Sequence, residues 1–231
     1  MHYTCAACTV RACSEEAPEK LPKNCPMRDT ALMDRAFAAY ALPENHDFYV
    51  TASELEALGY CRWPRLKETI ELCLRMGYTR VGLAFCRGLR KEAAVVDGLL
   101  RRAGLEVVSV ICKTGGIDKT KVGISPDGKV HPGEFEPMCN PIAQAMLLNE
   151  QHTQFNIALG LCVGHDSMFY KYSEALVTTL VAKDRVTGHN PAAAIYCAEG
   201  YFKNRLEKTL RPKRPHSGPH MAALFHSAAS D

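Results

Sequence analysis

The chain has no uninterrupted apolar stretch long enough to span a bilayer, which takes about 20 residues. Nothing at its start resembles a secretory leader: Met1-His-Tyr-Thr-Cys5-Ala-Ala-Cys8 has neither a basic flank nor an apolar run. It also lacks a charge excess of either sign. The net charge is +3, and residues 208–231 carry all of it, with Lys208, Arg211, Lys213 and Arg214 against Asp231 alone. The balanced remainder offers no broad basic face of the kind that nucleic acid needs. A phosphate loop, a G-x-G-x-x-G fingerprint and a G-x-S-x-G elbow are all missing, and Gly160-x3-Gly164 does not have dinucleotide-site spacing. The expectation is a soluble cytoplasmic protein without membrane or nucleic-acid partners. Its oligomeric state is not legible.

Cysteine, by contrast, is abundant. Eleven are present, and 47% of residues are hydrophobic, enough for a substantial core. In a reducing compartment, thiols in such number point to metal or catalysis rather than to a disulfide framework. The odd count would leave one unpaired even on full oxidation.

The chain reads as three segments. Residues 1–29 contain Cys and Pro but little apolar periodicity, and form a loop-rich module. Residues 30–207 carry an α/β pattern, and 208–231 a Pro-rich basic tail expected to be disordered. Within the middle segment a helix is predicted over 30–41, capped by Asp29 or Thr30 and followed by Pro43. Another begins at Ser53 and closes at Gly59, and a third covers 66–76 before Gly77. Strands are predicted at Val81–Cys86, Glu106–Lys113, Phe155–Cys162 and Val177–Lys183. Helices lie between them at 89–103, at 141–150 and near Asp166-Ser167, and a last one runs from Pro191 to about Leu206. Residues 114–140 are irregular, with a hairpin expected around Pro126-Asp-Gly128. Strands alternating with helices imply a Rossmann-like, open, mostly parallel sheet of four to five strands.

Two sets of thiols stand out. The first is Cys5, Cys8, Cys13 and Cys25, spaced C-x2-C-x4-C-x11-C, with Pro26 after the last. Four thiolates can close a zinc site or hold an iron–sulfur cluster, and the metal would supply folding energy to a segment without a core. The Cys-Pro ending favours iron–sulfur, of the 4Fe–4S kind. The second set is Cys86, Cys112 and Cys162, each closing a predicted strand, with Cys139 just before a helix. In a parallel sheet these positions gather at the carboxyl edge, where ligand sites form. Soft ligands from four loops again suit iron–sulfur or zinc. Taken singly, each of these cysteines is equally a small buried hydrophobe.

Around the second set, Arg87, Arg90, Lys91 and Lys113 could hold an anion or keep a thiol ionised. His165 could be a ligand or proton donor. Asp166 reads as a helix N-cap. Cys61, Cys73 and Cys197 fall outside both sets, the last two as core residues. His216, His220 and His226 belong to the tail, and His46 to a loop.

Five stretches also carry a family resemblance. They are Cys5-Ala-Ala-Cys8 with Asn24-Cys-Pro-Met-Arg-Asp29, Ala84-Phe-Cys-Arg-Gly-Leu-Arg-Lys-Glu92, Gly133-Glu-Phe-Glu-Pro-Met-Cys-Asn-Pro-Ile-Ala-Gln144, and Gly160-Leu-Cys-Val-Gly-His-Asp-Ser167. Together they resemble a metal-binding family catalogued as domain of unknown function eighteen-forty-seven, found mainly in anaerobic bacteria and archaea. The resemblance runs from about residue 3 to residue 205. It implies metal binding by the N-terminal cysteines, places Cys86, Cys112, Cys139 and Cys162 within family motifs, and supplies no reaction. The expected protein therefore has two thiolate sites. The sheet-edge site would bind an iron–sulfur cluster or zinc and act on a small anionic substrate, or exchange electrons with a partner, with His165, Arg87 and Lys113 as working side chains. The rival expectations are a metal or cluster carrier or redox sensor, and a thiol enzyme with only a structural zinc.

Overall fold

The computed structural model describes residues 2–208. The basic tail beyond Lys208, with its three histidines, lies outside the described residues. The chain divides into two compact units, one ending at Arg62 and the other beginning at Trp63. Among the described residues no helix is long and apolar enough to cross a membrane.

The first unit opens with four 3-10 turns, Cys5–Ala7, Ala12–Ser14, Pro18–Lys20 and Pro26–Arg28. Helices α1 (Thr30–Ala39) and α2 (Pro43–Gly59) follow. Asp29 caps α1 by accepting a hydrogen bond from Leu32 N at 3.0 Å. Pro43 does not merely follow a helix; it opens the next one. At N1 its missing N–H costs nothing and its fixed φ suits the helix. The polar run Asn45-His46-Asp47 therefore lies in the first turns of α2 and not in the expected loop.

In the second unit α3 (Arg65–Arg75) precedes β1 (Arg80–Phe85), α4 (Arg90–Arg102), β2 (Glu106–Ile111), α5 (Pro141–Glu150), β3 (Phe155–Leu159), α6 (His165–Tyr172) and β4 (Val177–Val181). The four strands form one parallel sheet in the order β2-β1-β3-β4. Val81 lies in register with Val107 on one side and Phe155 on the other. Every residue of β3 is buried, as expected of a parallel strand covered on both faces. Ala84, Ala145, Leu148, Leu161 and Phe169 pack together around Ala158 of this strand. Arg65 closes off the edge strand, donating to Thr179 O at 2.8 Å and to Thr178 Oγ1 at 2.9 Å. The architecture is the expected α/β fold with a parallel sheet.

Three local expectations are corrected. The strands stop before their cysteines: pairing ends at Phe85, Ile111 and Leu159, so Cys86, Cys112 and Cys162 belong to the loops. The expected hairpin in 114–140 is absent; 3-10 turns at Lys119–Val122 and Pro126–Gly128 take its place. An ion-paired core organises that segment. Asp118 Oδ2 accepts from Lys129 Nζ and from Glu136 N, both at 2.9 Å. Glu136 accepts from the N–H groups of Val130 and His131 and pairs with Lys119. Side-chain acceptors thus satisfy backbone donors that a ladder would otherwise pair. The last predicted helix is two short ones, α7 (Pro191–Tyr196) and α8 (Lys203–Glu207), and Cys197 between them is exposed rather than core.

Gly160 holds the carboxyl edge together. Its φ is +67°, and a Cβ there would sit 1.9 Å from Leu89 Cδ1. Leu89 is buried in the turn between β1 and α4. Gly160→Ala is therefore expected to cost about 1–3 kcal/mol through overlap, with about 1 kcal/mol more for the left-handed backbone. The urea midpoint should fall accordingly, whereas an unchanged midpoint would show that Leu89 moves freely. Asp118 and Glu136 also tie loop stability to pH. The Thr120 N–H and then Lys129 hold the Asp118 carboxyl well below the usual carboxylate range, and Lys119 with the His131 N–H lowers Glu136 to about 2. Because both are depressed in the folded chain, their stabilisation is complete above about pH 5 and is lost as pH falls from there through the folded values. Protection of the Val130, His131 and Glu136 amides from hydrogen exchange, taken relative to the free-chain rate at each pH, should fall below that point.

Candidate functional site

The strand order reverses between β1 and β3, and in such sheets a crevice opens outside the carboxyl ends at that point. Cys86 leaves β1 and Cys112 leaves β2. Cys139 precedes Asn140, the N-cap of α5, and Cys162 lies between β3 and α6. All four line a single tight crevice with Gln144, Leu161 and His165, too narrow in this structure to admit a water molecule. Backbone bonds fix these loops: Cys86 N donates to Leu159 O, Cys112 N to Phe85 O, and Asn140 N to Cys112 O.

The thiols of Cys86, Cys112 and Cys139 form a hydrogen-bonded run with Cys112 at its centre. Cys112 also accepts from Arg87 N at 3.3 Å. Its proton is held between two neighbours that are better placed as thiolates, and burial pushes its pKa further up. The hydrogen bond from Cys112 draws the Cys86 pKa down, helped by Gly88 N–H and the Lys183 ammonium. Cys139 is drawn down by Cys112 first, then by His165 and Lys113. Lys113 Nζ lies 3.5 Å from Cys139 Sγ and donates to Pro137 O at 2.5 Å. The Cys139 thiolate raises the His165 pKa in return. Arg185 donates to Cys162 Sγ at 3.3 Å.

Two buried atoms at this cavity have no hydrogen-bond partner among the described residues. One is His165 Nδ1 and the other Gln144 Oε1. Gln144 is fully buried, and its amide nitrogen donates to Val110 O at 2.7 Å and to Phe85 O at 3.3 Å. Those two carbonyls fix which end of the amide is the donor, leaving the oxygen as a spare acceptor. A buried acceptor left unmade costs about 1–3 kcal/mol.

The predicted site residues fare differently. Cys86, Cys112, Cys139, Cys162, His165 and Lys113 come together. Arg87 contributes its backbone N–H while its side chain is exposed. Arg90 lines a separate groove with Asp97, Arg101 and Ser109. Asp166 is not the cap of α6; Gly164 holds that position and His165 is the first helical residue. Sequence reasoning missed Lys183, Arg185 and Gln144. Lys183 and Arg185 follow β4, so the carboxyl-edge argument that selected Lys113 also reaches them. Gln144 had no signal, since its role depends on two carbonyls from other strands.

In the first unit Cys5, Cys8 and Cys25 line a cavity of about 210 Å³, whereas Cys13 is exposed and is not part of its wall. Asn24 Nδ2 donates to Thr4 Oγ1 at 2.7 Å, clamping the two cysteine-bearing segments together. The N–H groups of Arg11 and Val10 lower the Cys8 pKa. Among the described residues, no group of three or more His, Cys, Asp and Glu side chains stands in a metal-holding arrangement, in either unit. Cys73 is wholly buried, and burial raises its pKa to about 12, as befits a core thiol.

"Uncharacterized protein MJ0455" of Methanocaldococcus jannaschii is 46% identical over 168 residues, covering 73% of this chain and 84% of that protein. The family described as "Protein of unknown function (DUF1847)" matches residues 25–180, which include all four sheet-edge cysteines, Gln144 and His165. The chain belongs to that family.

Proposed function

We propose that the second unit is a metal–thiolate protein whose centre is held by Cys86, Cys112, Cys139 and Cys162. The observation that carries this reading is the delivery of four thiols by four separate connections into one cavity. Soft sulfur donors of this number suit zinc or iron. Two further features fit a cationic occupant. Lys113, Lys183, Arg185 and His165 offset the charge that four thiolates would accumulate. The spare Gln144 Oε1 presents a lone pair at the same cavity. A single zinc, at about 2.3 Å from each sulfur, or an iron–sulfur cluster would draw the four side chains in around it. An iron–sulfur centre remains the proposal for the N-terminal thiols, with Cys5, Cys8 and Cys25 around one cavity and Cys13 to be recruited.

When bound, such a metal supplies Lewis acidity or, if iron, electrons. The chain's own residues set the conditions. Lys113 fixes Cys139 by bonding both its sulfur and the Pro137 carbonyl. Arg185 steadies Cys162. His165 stands beside Cys139 and can hold a proton at the edge of the site. Cys86→Ser and Cys162→Ser should each remove the metal of the second unit and leave that of the first. Metal and acid-labile sulfide analysis after anaerobic purification measures this, and unchanged stoichiometry in both variants would sink the reading.

A second reading is thiol chemistry without metal at the sheet edge, favoured by the hydrogen-bonded run through Cys112. In metal-free protein, Cys139 should then alkylate with iodoacetamide at a rate nearly flat from pH 6 to 9. An ordinary thiol gains about tenfold per pH unit below its pKa of about 8.5. Lys113→Gln should restore part of that slope. A steep, bulk-like slope in the parent protein would rule this reading out.

A further inference from the structure

Beside the thiol cavity lies a second one of about 230 Å³, and Cys139 and His165 are walls of both. Val122, Ile124, Met138, Pro141, Ile142 and Met168 supply most of its lining. The space is built by the irregular 114–140 segment folding over the starts of α5 and α6. We infer that it is a binding pocket for a small, uncharged, mainly apolar molecule carrying one hydrogen-bonding group. The inference deepens the proposed function and rests on it only for the role of Cys139.

Three observations determine this ligand class. The first is size: an engineered cavity of about 150 Å³ holds benzene, so 230 Å³ suits a single ring or short branched chain with one substituent. The second is charge. Lys119 is the one lysine or arginine in the wall, and Glu136 already pairs with it. Lys113, nearby, is engaged by Pro137 O and Cys139, and Arg185 by Cys162. A carboxylate or phosphate entering here would be desolvated without a free partner, which is costly. The small anionic substrate expected from the sequence thus does not suit these walls. The third is the polar group. His165 stands in the wall beside Cys139, and its imidazole is the polar ring there with which a ligand hydroxyl or carbonyl would pair. Apolar walls with a few converging polar groups are the usual make-up of a small-molecule site.

The test uses the full-length protein, purified anaerobically, with ¹³C-methyl methionine. Three probes of similar shape are titrated: phenol, toluene and benzoate. Phenol should saturably shift the Met138 and Met168 methyl resonances. Toluene, without the oxygen, and benzoate, with a charge, should each bind at least about tenfold more weakly. Ile142→Trp, which fills the pocket, should abolish the phenol shifts. The comparison among probes needs no variant, so it stands even if Ile142→Trp does not fold. No saturable phenol shift, benzoate binding as well as phenol, or shifts that survive in folded Ile142→Trp would each overturn the inference. Metal content measured on the same samples separates the two proposals. Phenol binding to protein that never takes up metal supports the pocket and removes the metal reading, whereas metal without phenol binding does the reverse.

Discussion

The parallel pairing of β1 with β3 is the constraint on which the rest of the second unit depends. β1 pairs with β2 on one side and with β3 on the other, so the chain must turn back across the sheet between β2 and β3. All strands point the same way, and every connection therefore leaves from one edge and returns to the other. The turns after β1, β2 and β3, and the approach to α5, all meet at that carboxyl edge. Gly160 allows the meeting to be close: without a Cβ, the end of β3 accepts Leu89 from the β1–α4 turn at a distance no other residue would allow. Cys86 and Cys162 stand on the two loops so joined.

Electrostatics then decides what these thiols can be. A thiolate in a cavity closed by Leu161, Gln144 and the sheet ends would be unfavourable alone. The structure surrounds the group with N–H donors and with cations from three places: Lys113 after β2, Lys183 and Arg185 after β4, and His165 at the start of α6. Cys112 keeps its proton because both its neighbours are better served by losing theirs. The same logic organises the 114–140 segment, where Asp118 and Glu136 replace a missing strand ladder with side-chain acceptors. That segment carries Lys119 and Met138 to the second cavity and Cys139 to the first. Ion pairs thus hold in place a loop whose Val122, Ile124 and Met138 line the second cavity.

Polar atoms left without partners point the same way. Gln144 and His165 both line the thiol crevice, His165 being a wall of the second cavity as well, and both belong to helices that start at the sheet edge. The amide nitrogen of Gln144 is paired with Val110 O and Phe85 O, so its oxygen and His165 Nδ1 stand out where buried polar groups are nearly always paired.

Much of this was legible in the sequence. Apolar runs bounded by Gly, alternating with amphipathic segments, determined the parallel α/β class, because a strand buried on both faces must be apolar throughout. Asp29 as a cap, Gly77 as a helix stop and the helix beginning at Pro141 were legible because capping and helix entry are local chemistry. The four sheet-edge cysteines were recognisable as a set, since a parallel sheet sends all its strand ends one way. Local signals failed where tertiary contacts overrode them. Pro43 starts a helix, the Pro126-Asp-Gly128 turn serves an ion-paired loop and not a hairpin, and Cys197 is on the surface. The pairing of Cys112 with both neighbours, the cations after β4, the orientation of Gln144 and the apolar pocket shared by Cys139 and His165 were decided by tertiary structure alone. Each depends on distances between residues far apart in the chain. Periodicity and spacing report what one segment prefers, but not which groups the strand order will set side by side.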